Sequence, residues 1–138
     1  MTIINEKFSV NTKGNTDIID ITKNVKNFVY SHLLQNASVV VYVAGSTASI
    51  TSIEYEPGLL QDLPECLERI APSNVDYSHD EMWHDGNGYA HIRASIIGNS
   101  ITVPLIDAAL QLGTWQQIVL IDFDNKPRTR TIHVQIMY

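Results

Sequence analysis

The sequence predicts an α+β fold: a mostly antiparallel β-sheet with two main helices. Two observations carry that prediction. Runs with a two-residue apolar period, or with unbroken β-branched content, outnumber runs with a helical period. The two helical runs are inserted between strand runs, and turn signals such as Gly98-Asn99 and Asp124-Asn125-Lys126-Pro127 join neighbouring strands as hairpins. A length of 138 residues fits one domain over residues 1–138. A chain of this size buries about 68–70% of its unfolded surface, enough for a core without disulfides or metals as staples.

The elements follow in order. Phe8, Val10 and Thr12 alternate with polar neighbours and predict a strand ending at the Gly14-Asn15 turn. Residues 17–21 read as a short strand. A helix then starts with Thr22 as N-cap, its apolar stripe made by Val25, Phe28, Val29 and Leu33, and Asn36 stops it. Residues 38–44 are β-branched and aromatic without polar alternation, which predicts a central strand buried on both faces. Gly45-Ser46-Thr47 breaks it, as a simple turn or an anion-binding nest, and residues 49–55 resume as strand. Pro57-Gly58 opens a second helix carried by Leu59, Leu60, Leu63, Leu67 and Ile70, with Pro64 expected to kink it or start a new one.

Residues 72–88 are polar and predict the longest loop. Residues 89–97 alternate well enough for a strand, with Ala90, Ile92, Ala94 and Ile96 on one face and His91, Arg93 and Ser95 on the other. Gly98-Asn99 turns the chain into a strand over 100–106. Residues 114–123 and 128–137 form the closing hairpin.

Composition excludes several functions. The formal charge of −6 leaves no basic footprint for nucleic acid or an anionic membrane. Cys66 is the single cysteine, so no intramolecular disulfide and no cysteine-based zinc cluster can form; a reducing, cytoplasmic location is expected. Cys66 itself reads as a buried structural thiol. The N-terminus lacks a basic start followed by an apolar run, so no signal peptide is expected. The longest apolar stretches are too short to span a bilayer.

The chemistry concentrates in YSHDEMWHDGNGYAHIRAS, residues 77–95. His79, His84 and His91 stand as H-x4-H-x6-H. Three imidazoles with an open fourth position suit zinc or a similar ion; the competing reading is a polar loop with His91 hydrogen-bonded in the interior. Glu54, near a strand end, could orient a histidine or act as a base, or be an exposed charge. Arg128 and Arg130 share one strand face, and Arg93 could join them. Such forks fit phosphate, or they form ion pairs with Asp122 or Asp124. Gly113-Thr114-Trp115-Gln116 offers close backbone approach, a hydroxyl, an indole and an amide to a ligand; Trp115 also fits a core or subunit contact. His32 and His133 read as a boundary residue and a polar-face residue.

Three stretches in this order, YSHD followed by GNGYAHIRASIIGNS, then VPLIDAALQLGTWQQIVLIDFD, then KPRTR, resemble the YjbQ-like family, also called the secondary thiamine-phosphate synthase family. The resemblance covers nearly the whole chain from Phe8. It implies a compact α+β fold with a mostly antiparallel sheet, assembly as a homotrimer, and a weak thiamine-phosphate synthase activity known for some members. It also implies site residues. Glu54, His79 and His91 would be catalytic, and Asn87, Thr114, Trp115, Gln116, Arg128 and Arg130 would bind substrate; Asp85 falls in the family's acidic loop. Many relatives carry His-Thr-Thr where this chain has Gly45-Ser46-Thr47, so His84 is expected to stand in as a metal ligand beside His79 and His91.

Three functions compete on this reading. The first is an enzyme acting on a small phosphorylated substrate, with a divalent ion such as zinc or magnesium. The second is a trimer that binds metal or a phosphate ligand without turnover. The third is a structural or interaction module, with the histidines far apart.

Overall fold

The computed structural model describes residues 1–138. Its elements are β1 (Ile3–Thr12), β2 (Asp17–Asp20), α1 (Thr22–Ser31), β3 (Ala37–Val43), β4 (Ala48–Glu54), α2 (Pro57–Ile70), α3 (Ser78–Trp83), α4 (Gly88–Ile97), β5 (Ser100–Ile106), β6 (Ala109–Leu110), β7 (Gln116–Asp122) and β8 (Arg128–Met137). The strands form two antiparallel sheets, a five-stranded one in the order β1-β8-β3-β5-β6 and a three-stranded one in the order β2-β7-β4. The α+β class and the antiparallel pairing match expectation; the helices number four.

The layering follows from the two-residue period of β7. Its Ile118 and Leu120 join the main core with Val39, Val41 and Val43 of β3, Ile132, Val134 and Ile136 of β8, and Val25 and Val29 of α1. The intervening Val119 and Ile121, with Phe123 just beyond the strand, face a second core made with Leu67 of α2 and Tyr89, Ala90 and Ala94 of α4. The small sheet is therefore the middle layer, covered by the large sheet on one face and by α2 and α4 on the other.

Several expectations are corrected. Residues 89–97 are helical, because the buried set is Tyr89, Ala90, Arg93 and Ala94, spaced i, i+1, i+4 and i+5, while Ile92 and Ile96 are exposed. Small Ala90 and Ala94 let α4 approach β4 closely enough for the Ser49 hydroxyl to reach the Ala94 carbonyl at 3.3 Å. The loop expected over 72–88 contains α3. Gly98-Asn99 joins a helix to a strand and makes no hairpin. β7 and β8 do not pair either; the chain between them crosses from the small sheet to the large one.

Other differences are local. Helix α2 runs unbroken through Pro64, its start capped by the Glu56 carboxylate, which accepts from the Gly58 and Leu59 amides. The N-cap of α1 is Ile21, and Thr22 within the helix exchanges hydrogen bonds with the backbone of Ile118. Leu33 lies beyond α1 in a left-handed conformation and is exposed. Strand β3 is central as expected but buried on one face only, with Tyr42 exposed and Val40 half-buried on the other. Cys66 is half-buried. No helix is long and apolar enough to cross a membrane.

Candidate metal centre

Two short helices meeting at their first turns build the site. His79 lies in the first turn of α3 and His91 in the first turn of α4, and their rings stand 4.2 Å apart between centroids. Asp85, in the link between the helices, brings its carboxylate to 3.4 and 3.5 Å from Nε2 of His79. The ligand atoms of His79, Asp85 and His91 all lie within 4.8 Å of one another. A tetrahedral ion with bonds of about 2.0–2.2 Å spaces its ligands roughly 3.4 Å apart, so two imidazoles and a carboxylate at these separations fit a metal after small side-chain adjustments.

The electrostatics suit that donor set. Burial, reinforced by neighbouring His79, holds the His91 pKa below its ordinary value, although the carboxylates of Asp85, Asp124 and Asp80 oppose this. At neutral pH His91 is therefore a neutral imidazole with a lone pair to donate. Asp85 is held below the usual carboxylate range, first by the backbone N–H of Asn87 and then by His79, so it is ionised.

The link between α3 and α4 is shaped for close approach. Gly86 has φ +67°, and a Cβ on Gly88 would stand 2.5 Å from Cβ of Tyr77. The Gly88 N–H donates to Asp80. Beside His91 opens a cavity of about 260 Å³, with Gly45, Ser46, Ser95 and Asn99 among its walls.

Behind the centre lies a buried network at the end of β7. Arg130 grips Asp122 with two bonds of 2.7 and 2.8 Å and donates to Thr47 at 2.7 Å. Asp122 also accepts from Thr12 and from the Asp124 N–H. Asp124 accepts from Thr47, Asn87 and Arg128. Burial alone would raise the Asp124 pKa; these hydrogen bonds and the Arg128 charge outweigh it and hold the carboxyl below its ordinary value. The arrangement is the ion-paired alternative for the two arginines. Arg130 is committed to Asp122, while Arg128 pairs with Asp124 through Nε and its side chain is 41% exposed.

Other expected site residues fall elsewhere. His84 caps α3 in a left-handed conformation and is exposed; Asp85, one residue on, takes the third position by the histidines. Asn87 is buried, with both ends of its side-chain amide engaged, one donating to Asp124 and the other accepting from the Asn125 N–H, so its side chain contacts the frame and no open space. Arg93 sits inside α4's packed face, donating to Ala71, Thr16 and Glu68. Glu54 and Gln116 pair at the opposite end of the small sheet from Asp122, six residues along β7 and so roughly 20 Å away at strand rise. There Gln116 bonds to Ser52 and Gly113, Thr114 is exposed, and Trp115 is 72% exposed.

Asp122 and Asp124 were legible only as possible ion-pair partners of the arginines. Their burial was hidden because β7 looked like the arm of an exposed hairpin.

Fold and site together define a class: a layered two-sheet α+β protein with a His–Asp–His centre between two short helices. The particular family follows from comparison. The family model described as "UPF0047 protein YjbQ-like" matches residues 6–138, and the chain belongs to that family. It is 37% identical over 131 residues to a UPF0047 protein of Archaeoglobus fulgidus, covering 95% of this chain and 99% of that one. It is 32% identical over 130 residues to the UPF0047 protein YugU of Bacillus subtilis, covering 93% and 95%. The crystal structure of a YbjQ-like protein of unknown function from Sulfolobus solfataricus superposes with a TM-score of 0.93 at 29% identity, covering 99% and 97%. A YjbQ/UPF0047 family structure from Clostridium acetobutylicum gives 0.86 at 35% identity, covering 96% and 99%.

Proposed function

We propose that this chain binds a divalent ion through His79, Asp85 and His91 and uses it on a small phosphorylated substrate. The convergence of those three ligand atoms within 4.8 Å, beside a cavity of about 260 Å³, is the observation that carries the reading. Two imidazoles and a carboxylate favour zinc over magnesium, which prefers an all-oxygen shell; iron(II) shares the donor set and is the competing occupant. When bound, the ion supplies Lewis-acid stabilisation of charge on a phosphoryl oxygen.

The chain's own residues do the rest. The Asp85 carboxylate stands 3.4 Å from Nε2 of His79, so the two would meet on the ion as neighbouring ligands. Arg128, partly exposed beside Asp124, would offer a charged donor to a phosphate. Resemblance gives the specific form: a thiazole nitrogen attacks the pyrimidine methylene carbon, the carbon–oxygen bond to pyrophosphate breaks, and pyrophosphate leaves with the bonding electrons. A cytoplasmic location is part of the same reading.

The second reading is a metal- or phosphate-binding homotrimer without turnover. It is favoured by Glu54, Thr114 and Gln116 lying far from the histidines within one chain. Assembly is supported by the uncovered outer face of β3 and by exposed Trp83 and Trp115.

Metal content per chain by elemental analysis tests the centre. About one zinc per chain in the wild type and in His84→Ala, none in His79→Ala or His91→Ala, and weakened binding with partial occupancy in Asp85→Ala, is expected. A wild type that neither copurifies with metal nor can be loaded overturns it. Formation of thiamine phosphate above a His91→Ala control separates the enzyme from the binding protein, and light scattering gives the oligomer.

A further inference from the structure

The link that carries Asp85 is exposed from His84 to Gly86, yet the metal reading needs its carboxylate held in place. Residues outside the link supply that order. The Asn125 side chain donates from Nδ2 to the Asp85 carbonyl at 2.7 Å, and its backbone N–H donates to the Asn87 side-chain oxygen at 2.9 Å. Asn87 donates through Nδ2 to Asp124 at 3.3 Å, and its backbone N–H reaches the Asp85 carboxylate at 3.2 Å. Asp124 is itself held on several sides: it is 1% exposed and accepts from Thr47, Arg128 and the Lys126 N–H. An unbroken chain of hydrogen bonds thus runs from the rigid end of β7 to Asp85.

We propose that Asn125, Asn87 and Asp124 are positioning residues that hold Asp85 against His79 and His91 and so set the metal affinity of the centre from the β7–β8 connection. This rests on the metal reading above. Ordering a backbone residue has an entropic cost, which falls on ion binding if the frame is not already in place. Groups that orient a ligand from behind affect metal affinity by about 10–100-fold. The same accounting explains Gly86: its left-handed φ turns the link back toward Asn125, whose Nδ2 would lie 3.4 Å from a Cβ there.

The experiment titrates apo protein with Co²⁺, reading both the dissociation constant and the d–d absorption spectrum. The variants are Asn125→Ala, Asn87→Ala, Asp85→Ala and the double Asn125→Ala/Asp85→Ala. Asn125 is exposed, so its variant is expected to fold with a melting temperature within a few degrees of wild type. Its Co²⁺ affinity should fall about 10–100-fold with an altered spectrum, and the double variant should bind no more weakly than Asp85→Ala alone, since the frame acts only through Asp85. Wild-type affinity and spectrum in Asn125→Ala overturn the proposal, as does a further additive loss in the double variant. No Co²⁺ binding by wild-type protein overturns the metal reading itself.

Discussion

Arg130→Met removes a guanidinium from the most enclosed polar network in the molecule. The side chain is 10% exposed and its partner Asp122 is fully buried. Methionine keeps most of the apolar stem, so the change isolates the charged fork. Breaking one side of a buried pair costs about 3–5 kcal/mol because an uncompensated charge stays behind. Asp122 keeps the Thr12 hydroxyl at 2.6 Å and the Asp124 N–H at 3.0 Å, which argues for the lower end, about 3 kcal/mol. At about 2.1 cal/mol/K per residue the unfolding entropy of this chain is roughly 0.29 kcal/mol/K, so the melting temperature should fall by about 10 °C. Calorimetry reads the temperature and urea unfolding reads the free energy. Asp122→Asn on the Arg130→Met background should recover more than half of the loss, since neutralising both members removes the stranded charge. A single variant that melts within about 3 °C of wild type refutes the buried-pair reasoning and returns Arg130 to the phosphate-holding role its sequence position suggests.

Further outcomes follow from the same geometry. Gly88→Ala places a Cβ 2.5 Å from Cβ of Tyr77 and 2.8 Å from its ring; overpacking of this kind costs about 1–3 kcal/mol, and because it separates α3 from α4 it should lower both the urea midpoint and Co²⁺ affinity. Glu68 is held below its ordinary pKa of 4.5 by the Ser73 N–H first and the Arg93 guanidinium second. A depressed carboxyl contributes stability above its unfolded pKa and loses it as pH falls through the folded value, so wild type should lose more stability than Glu68→Gln on titration below about pH 4.5. Half-exposure of that carboxylate keeps the difference small, and equal slopes for the two proteins refute it. Trp83→Ser and Trp115→Ser remove exposed indoles and should leave the monomer's unfolding free energy within about 0.5 kcal/mol of wild type, while weakening self-association seen by light scattering if these faces meet another copy.

Most of the fold was legible because strands with an unambiguous period kept it. The alternation in β8 points to its layer directly, while the β-branched run of β3 marks a central strand without telling that only one face is covered. Legibility failed where two periods overlap. Ala90, Ile92, Ala94 and Ile96 satisfy a period of two, but Tyr89, Ala90, Arg93 and Ala94 satisfy the helical period equally, and the arbiter was the flat apolar face of β7 waiting to be covered. The tip between β7 and β8 misled for a related reason. Turn chemistry reports that the chain bends, whereas whether the arms pair or enter different sheets depends on the partners β2, β4, β1 and β3, which lie far away in sequence.

The site divides along the same line. His79 and His91 were legible as a pair, but the residue the structure brings beside them is Asp85, one on from His84. On an extended loop His84 could have folded back toward His91. On a six-residue helix the chain must reverse immediately after Trp83, and His84 spends its left-handed conformation on that reversal, φ 54°. The next residue is the first one free to turn inward, and it is an aspartate. Asp85 thus stands by the two histidines, and Gly45 is among the walls of the cavity beside His91. As ligands of the proposed ion, two imidazoles and one carboxylate would carry one negative charge, where three imidazoles would carry none. In the centre proposed above, that charge would strengthen the attraction for a divalent ion and reduce the net charge left to attract a phosphate, so recognition of the anion would rest more on Arg128.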